Sequence, residues 1–106
     1  RRQFGQFRPR HVLVVEDEPA ILEMAKNMLV LLGYTVLTAK TPSEAIELAE
    51  ARKEEISLLI TDVVMPEMSG RVLADAALAR LPNLKVVFTT GFSRNAVIHN
   101  NVLDAG

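Results

Sequence analysis

Three acidic residues follow predicted β-strands, at positions where carboxylates can take part in chemistry. Glu16 and Asp17 come directly after the apolar run Val12–Val15, and Asp62 comes directly after Ser57–Thr61. In an open parallel sheet, ligands bind beyond the carboxyl ends of the strands, at the point where the strand order reverses. If the first and third strands are neighbours, the three carboxylates therefore converge in one small pocket.

Three carboxylates in one pocket need a counter-charge. Like charges a few ångströms apart raise one another's pKa and destabilise the fold. A divalent cation removes this conflict, and hard oxygen ligands with room for water and a phosphate favour Mg²⁺ over Ca²⁺ or zinc. A metal held by carboxylates beside a carboxylate nucleophile is suited to phosphoryl transfer, because the metal neutralises phosphate charge while the nucleophile attacks in line.

A further strand end adds a hydroxyl group. Thr90 ends the predicted strand Lys85–Thr90 and is followed by Gly91. The threonine can donate a hydrogen bond to a phosphoryl oxygen, and the glycine leaves space for it. Taken singly, an aspartate at a strand end is usually a turn residue or a helix cap. The combination of acidic residues at two strand ends with Thr-Gly at another is what indicates a site.

The elements that must position these residues alternate between strand and helix. The strands are predicted at residues 12–15, 34–38, 57–61 and 85–90, and the helices at residues 19–32, 42–51, 70–81 and 93–98. Pro19 suits a first helical turn, Gly33 a left-handed helix end, and Thr41–Glu44 is a capping box. This β-α-β-α-β-α-β-α pattern predicts an α/β fold, with a parallel sheet covered by helices on both faces.

Composition excludes several classes of protein. The 106 residues suffice for one domain, and 49% are hydrophobic and 24% charged, as in a globular chain. The net charge of −1 argues against nucleic-acid binding, and the absence of cysteine excludes thiol catalysis and Cys-ligated zinc. No apolar run reaches the roughly 18 residues of a membrane helix. Residues 1–10 are basic and aperiodic, so we expect a linker or tail there.

Three motifs together resemble the receiver domain of two-component response regulators. They are VLVVEDEP at residues 12–19, LLITDVVMPEMSG at residues 58–70 and VVFTTG at residues 86–91. The resemblance covers residues 11–106. It implies that Asp62 is the phosphoacceptor, which takes a phosphoryl group from a phosphohistidine on a sensor histidine kinase or phosphotransfer protein.

The resemblance also assigns the metal ligands. Asp17 matches the acidic residue that binds Mg²⁺ directly, and Glu16 matches its neighbour, which usually acts through water. Asp62 itself and the backbone carbonyl of Val64 complete the protein ligands. Mg²⁺ is thus the expected cofactor.

The resemblance also implies a switch residue and a fold. Thr90 matches the hydroxyl that moves onto the phosphoryl group and so changes a protein-interaction surface near Thr90 and the fourth helix. Gly70 matches the glycine that lets the loop after the acceptor turn. The implied fold is the flavodoxin-like, doubly wound parallel sheet, with the strand order 2-1-3-4 for the four strands present.

One departure from the family concerns the end of the sequence. The family's fifth strand, with its Lys-Pro pair, and its fifth helix are missing, so residues 11–106 are expected to be a C-terminally incomplete receiver domain. As written, the edge at Val86–Thr90 is unpaired, and self-association is expected there or on the face of the fourth helix. An isolated receiver is not expected to be an enzyme. The expected setting is cytoplasmic, without nucleic-acid or membrane contacts. The start of the linker and the fourth strand are also similar to receivers that are fused to hybrid sensor histidine kinases.

Two alternatives stay open. A Mg²⁺-dependent phosphatase of the haloacid-dehalogenase type also forms an aspartyl phosphate on a parallel sheet, although it expects a second aspartate two residues after the nucleophile on the first strand. Here Asp17 is followed by Glu18 and Pro19. A pseudo-receiver that serves only as a binding surface is the other alternative.

The residues beside the predicted site give a hypothesis about the lifetime of the phosphorylated form. Val64 lies two residues after the acceptor and Phe92 two residues after the switch threonine. Both side chains are apolar, so neither can orient an attacking water molecule. We therefore expect a comparatively long-lived aspartyl phosphate.

Overall fold

Four parallel strands form one sheet in the computed structural model, which describes residues 11–89. The strands are β1 (His11–Val15), β2 (Val36–Ala39), β3 (Ile56–Asp62) and β4 (Lys85–Thr89). The helices are α1 (Pro19–Leu31), α2 (Pro42–Ala51) and α3 (Gly70–Arg80). The strands lie in the order β2-β1-β3-β4, which confirms the predicted order and the α/β class.

Helices cover both faces of the sheet, because alternate residues of a strand point to opposite sides. On one side, Leu13 and Val15 of β1 belong to a core cluster with residues of α2 and α3. On the other side, Val12 and Val14 pack with Leu22 of α1. The strands of this sheet are therefore apolar on both faces, as expected for a doubly wound parallel sheet.

Helix α1 begins and ends as its sequence predicts. Pro19 occupies the first turn, where a missing N–H has no cost. At the other end, Gly33 has a φ of 100°, its amide donates to Val30, and the amide of Tyr34 donates to Leu29. This pair of hydrogen bonds is the Schellman arrangement, which needs a residue with positive φ after the helix. Because Tyr34 closes the helix, β2 starts at Val36 and not at residue 34.

Helices α2 and α3 have side-chain caps at their N-termini. The hydroxyl of Thr41 accepts from the Glu44 amide at 3.1 Å, and the Glu44 carboxylate accepts from the Lys40 amide at 2.6 Å. The capping box is therefore present, although its glutamate reaches the residue before the cap. Ser69 caps α3 by accepting from the Val72 amide at 3.2 Å, and this cap was not predicted from the sequence.

The C-terminal half of α1 leaves part of its apolar side exposed. Met28 and Leu32 fall at the same helical spacing as the buried residues of α1, yet they are 53% and 72% exposed. Leu29, in the same half of the helix, is partly buried against the core cluster that contains the β1 valines. Ile21 and Leu22 are the buried residues of α1. None of the three described helices has the length and hydropathy needed to cross a bilayer.

Several predictions fall outside the described residues. They concern the tail at residues 1–10, the fourth helix, and the residues Thr90, Gly91 and Phe92. Strand β4 is the outermost described strand on its side of the sheet, and pairs with β3 from Lys85 to Thr89.

Candidate functional site

Adjacent strands bring the predicted acidic residues to one edge of the sheet. Strands β1 and β3 pair in parallel, with Val15 opposite Thr61. Glu16 directly follows Val15, and Asp62 is the last residue of β3. Parallel strands end on the same side, so the carboxylates that follow this pair must lie close to one another.

The three carboxylates form one cluster. One carboxylate oxygen from each of Glu16, Asp17 and Asp62 lies within 4.8 Å of the other two. Glu16 is 5% exposed and Asp62 is 2% exposed, whereas Asp17 is open to solvent. Two buried carboxylates with a third at the solvent boundary form an all-oxygen donor set with access from one side. This is the arrangement of hard ligands that a small divalent cation prefers.

Backbone amides hold the two buried carboxylates. The Glu18 amide donates to Oε2 of Glu16 at 3.0 Å, and the Val64 amide donates to Oδ1 of Asp62 at 3.2 Å. Each acidic side chain is thus oriented by the turn that follows its own strand. The side-chain positions therefore depend on the β1–α1 and β3–α3 loops and not on long-range packing alone.

The site is unfavourable for negative charge. Burial is the largest cause that raises the pKa of Glu16, and the charges of Asp62 and Asp17 raise it further. The hydrogen bond from the Glu18 amide acts in the opposite direction, because it stabilises the carboxylate. The net effect is a raised pKa. A cation bound at the cluster would therefore stabilise the ionised carboxylates.

The end of β4 lies beside the end of β3. Thr89 is the register partner of Asp62, and its carbonyl accepts from the Val63 amide at 3.1 Å. The predicted switch residue Thr90 follows directly in the sequence but lies outside the described residues. Val64, the predicted carbonyl ligand, has a side chain that is 65% exposed.

Gly70 is required by close packing and not by a turn with positive φ. A Cβ atom at this position would lie 2.1 Å from the carbonyl oxygen of Asp62 and 3.1 Å from the Cα of Val63. Its amide also donates to the Val63 carbonyl at 2.7 Å. The resemblance to receiver domains had explained Gly70 as the glycine that lets the loop after Asp62 turn. The structure gives a different reason: the start of α3 packs directly on the backbone of Asp62.

Two contacts near the site were not predicted. The first is the Ser69 cap of α3, for which a serine one residue before the helix is a recognisable signal. The second joins Glu67, in the loop after Asp62, to Ser43 of α2 through two hydrogen bonds. These residues are separated by 24 positions, and no local pattern connects them.

Comparison with known proteins identifies the family. The sequence model of the response regulator receiver domain matches residues 12–106. The sensor kinase CckA of Brucella abortus (strain 2308) is 37% identical over 94 residues, which are 89% of this chain and 10% of that protein. The response regulator receiver protein CpdR of the same organism is 36% identical over 88 residues, which are 83% of this chain and 72% of CpdR. The chain thus spans only a small part of the sensor kinase.

Solved structures agree with the sequence relatives. The receiver domain of the hybrid histidine kinase CckA superposes with a TM-score of 0.73 at 38% identity, covering 79% of this chain and 78% of that structure. With the α/β topology and the acidic edge already described, these similarities lead to one assignment. The chain belongs to the family of response regulator receiver domains of two-component signalling systems.

Proposed function

We propose that this chain is a phosphoacceptor: Asp62 receives a phosphoryl group from a phosphohistidine of a sensor histidine kinase or phosphotransfer protein, in a Mg²⁺-dependent reaction. The observation that carries the proposal is the cluster of Glu16, Asp17 and Asp62, whose ligand oxygens lie within 4.8 Å of one another. Phosphorylation would switch a protein-interaction surface. The proposed receiver unit spans residues 11–106, after a tail at residues 1–10, and works in the cytoplasm.

The residues fit a magnesium ion. Glu16, Asp17 and Asp62 supply carboxylate oxygens, and the backbone carbonyl of Val64 is the proposed further ligand. The raised pKa of Glu16 supports this fit, because a bound cation offsets the burial and repulsion that raise it. When bound, Mg²⁺ supplies positive charge that neutralises the phosphoryl oxygens. Few carboxylates and an exposed side match the preference of Mg²⁺ for sites that keep several waters.

The reaction at Asp62 is a nucleophilic displacement at phosphorus. One carboxylate oxygen forms a bond to phosphorus while the phosphorus–nitrogen bond of the donor breaks, and its electron pair goes to the imidazole nitrogen. We assign the attack to Oδ2, because the Val64 amide already fixes Oδ1 at 3.2 Å. The chain acts here as a phosphoryl acceptor, and we do not assign it an independent catalytic turnover.

Thr90 is the proposed switch residue. It directly follows Thr89, whose backbone pairs with the acceptor strand at Asp62. A hydroxyl at the next position can donate to a phosphoryl oxygen, and the change in its position is the proposed signal to the surrounding surface.

Phosphorylation by acetyl phosphate tests the proposal directly. With MgCl₂ present, we expect intact-mass measurement to show the gain of one phosphoryl group, and no gain in EDTA. Asp62→Asn should abolish the gain and leave the circular dichroism spectrum unchanged, because asparagine keeps an oxygen for the Val64 amide. Asp75→Asn, at an exposed position of α3, is the matched control and should be phosphorylated normally.

Three results would contradict the proposal. They are the absence of any mass gain in the wild-type chain, a gain that survives Asp62→Asn, and a gain independent of Mg²⁺. Turnover of a phosphomonoester would instead favour the phosphatase alternative, whereas a folded chain that never accepts phosphate would favour the pseudo-receiver.

A further inference from the structure

The loop that follows the acceptor is tied to a neighbouring helix by one carboxylate. Glu67 lies in the β3–α3 loop, residues 63–69. Its Oε1 accepts from the backbone amide of Ser43 at 3.0 Å, and its Oε2 accepts from the hydroxyl of Ser43 at 2.6 Å. Both oxygens of one side chain are therefore used by one residue of α2. Such a two-point contact restrains orientation as well as distance.

The start of α2 explains why this contact forms. The first amides of a helix have no partner within the helix. Pro42 has no amide hydrogen, and the Glu44 amide donates to the Thr41 hydroxyl, so the Ser43 amide remains. Glu67 supplies that missing acceptor from a different element. A carboxylate is also favoured there by the helix dipole. The hydrogen bonds from Ser43 lower the pKa of Glu67, so it is ionised at neutral pH.

The same loop carries the backbone of the proposed metal site. At its first residues, the Val64 amide donates to Asp62 and the Val63 carbonyl accepts from the Gly70 amide at 2.7 Å. Glu67 lies three residues after Val64 in the same loop. The contact with α2 therefore restrains the segment that extends from Val64 to the start of α3.

We propose that Glu67 is a positioning residue for the magnesium site: by tying the loop to Ser43, it holds the Val64 carbonyl and the Asp62 carboxylate in place for the ion. The inference rests on the proposed function. Glu67 does not contact the ion in this account. Its effect passes through the loop backbone, whose carbonyl at Val64 is the proposed ligand.

Magnesium titration of a small set of variants tests the role. We expect Glu67→Ala to raise the Kd for MgCl₂, measured by calorimetry, by about threefold to tenfold. This increase is smaller than the roughly 10–100-fold loss of metal affinity that is typical when a residue that hydrogen-bonds a metal-binding side chain is replaced. Glu67→Gln should have a smaller effect, since its amide oxygen still accepts from Ser43. Glu47→Ala, at an exposed glutamate of α2, is the charge-matched control and should leave the Kd unchanged.

A double-mutant cycle separates positioning from general stability. If Glu67 acts through Ser43, then adding Ser43→Ala to Glu67→Ala should raise the Kd no further. Hydrogen exchange of the Ser43 amide, followed by NMR without metal, should accelerate in Glu67→Ala and not in Glu47→Ala. A residue with a merely structural role would lower the unfolding free energy and leave the Kd of the folded protein unchanged.

The outcomes distinguish this inference from the function on which it rests. If the wild-type chain binds Mg²⁺ and is phosphorylated while Glu67→Ala binds equally well, only the positioning role is overturned. Additive effects in the cycle overturn it too. If the wild-type chain does not bind Mg²⁺, the proposed function and the positioning role both fail. Should Glu67→Ala not fold, Ser43→Ala decides, because it removes the hydroxyl hydrogen bond from the other partner, and an unchanged Kd in that variant rejects the proposal.

Discussion

Val64 contacts Asp62 through its backbone amide, while the residue is largely exposed to solvent. Its amide donates to Oδ1 of Asp62 at 3.2 Å, and its side chain is 65% exposed. A side chain at this position stands at the edge of the site, where a water molecule could approach a phosphorylated Asp62. Valine can neither donate nor accept a hydrogen bond, so it cannot orient that water.

We therefore expect Val64→Asn to shorten the lifetime of the aspartyl phosphate. An amide at this position can hold a water molecule for attack on phosphorus. We expect a rate increase of about tenfold, equivalent to about 1.4 kcal/mol in the barrier. The measurement is the decay of the phosphorylated mass after acetyl phosphate is removed. Val30→Asn, at an exposed valine of α1, is the control, and equal decay of wild type and Val64→Asn would reject the hypothesis.

The meeting of the three acidic residues could be predicted from the sequence, and their environment could not. The positions of Glu16 and Asp62 after strands fix which edge they reach once β1 and β3 are neighbours. Of the three, Asp17 is exposed while Glu16 and Asp62 are buried, and this difference depends on how the loops after β1 and β3 fold. The contact of Glu67 with Ser43 depends on tertiary geometry alone, because it joins the β3–α3 loop to the start of α2, 24 positions away in the sequence.

At the scale of elements, the junction between β3 and α3 has no room for a side chain at position 70. The Cβ of an alanine at position 70 would lie 2.1 Å from the carbonyl oxygen of Asp62 and 3.0 Å from its carbonyl carbon. Both are backbone atoms, so no side-chain rotation can relieve the overlap. The helix must shift away from the strand, or the acceptor must move.

We expect Gly70→Ala to affect both stability and the site. The overlap should lower the unfolding free energy by about 3 kcal/mol, measured by urea denaturation. Displacement of the Asp62 backbone should also weaken Mg²⁺ binding by at least about tenfold.

Gly33→Ala provides the comparison. It disturbs a φ of 100° in a place where a Cβ meets nothing within 4 Å, so only strain of about 1–2 kcal/mol is expected. Magnesium affinity should be unchanged in this variant. If Gly70→Ala also keeps the wild-type affinity, the close packing on Asp62 is not what positions the acceptor.

The same elements show what local sequence can predict. Pro19 and Gly33 determine the ends of α1 through their own backbone geometry, so both were predictable. The exposure of Met28 and Leu32 was not, because helical spacing shows which residues share a face but not whether anything covers it. The start of β2 was placed two residues early, since the amide of Tyr34 belongs to the helix end.

At the scale of the whole molecule, the acidic cluster opposes folding when no cation is bound. The net charge of the chain is only −1, so the cost is local and does not come from general repulsion. Burial first, and then the charges of Asp62 and Asp17, raise the pKa of Glu16. A ligand that binds only the folded chain then adds stability that grows with the logarithm of its concentration once that concentration exceeds the Kd.

The raised pKa fixes the sign of the pH dependence. Between the ordinary glutamate pKa and the raised value, the folded chain holds more protons on Glu16 than the unfolded chain does. Linkage then requires that the stability contributed by Glu16 declines as pH rises through this interval. Above the raised pKa, the full cost of the buried charge is present.

We therefore expect Glu16→Gln to be more stable than the wild type in EDTA, by about 1 kcal/mol at about pH 7, and the difference to shrink towards about pH 4. Glutamine keeps an oxygen for the Glu18 amide and carries no charge.

Magnesium should stabilise the wild type more than it stabilises the variant. At about 100 times its Kd, Mg²⁺ should add about 2.7 kcal/mol to the unfolding free energy of the wild type. The same concentration should add less to the variant, which lacks one charged ligand. Urea denaturation at both pH values, with and without MgCl₂, measures these differences. Glu47→Gln should change neither of them, and equal stabilisation of wild type and Glu16→Gln by Mg²⁺ would show that Glu16 does not help to hold the ion.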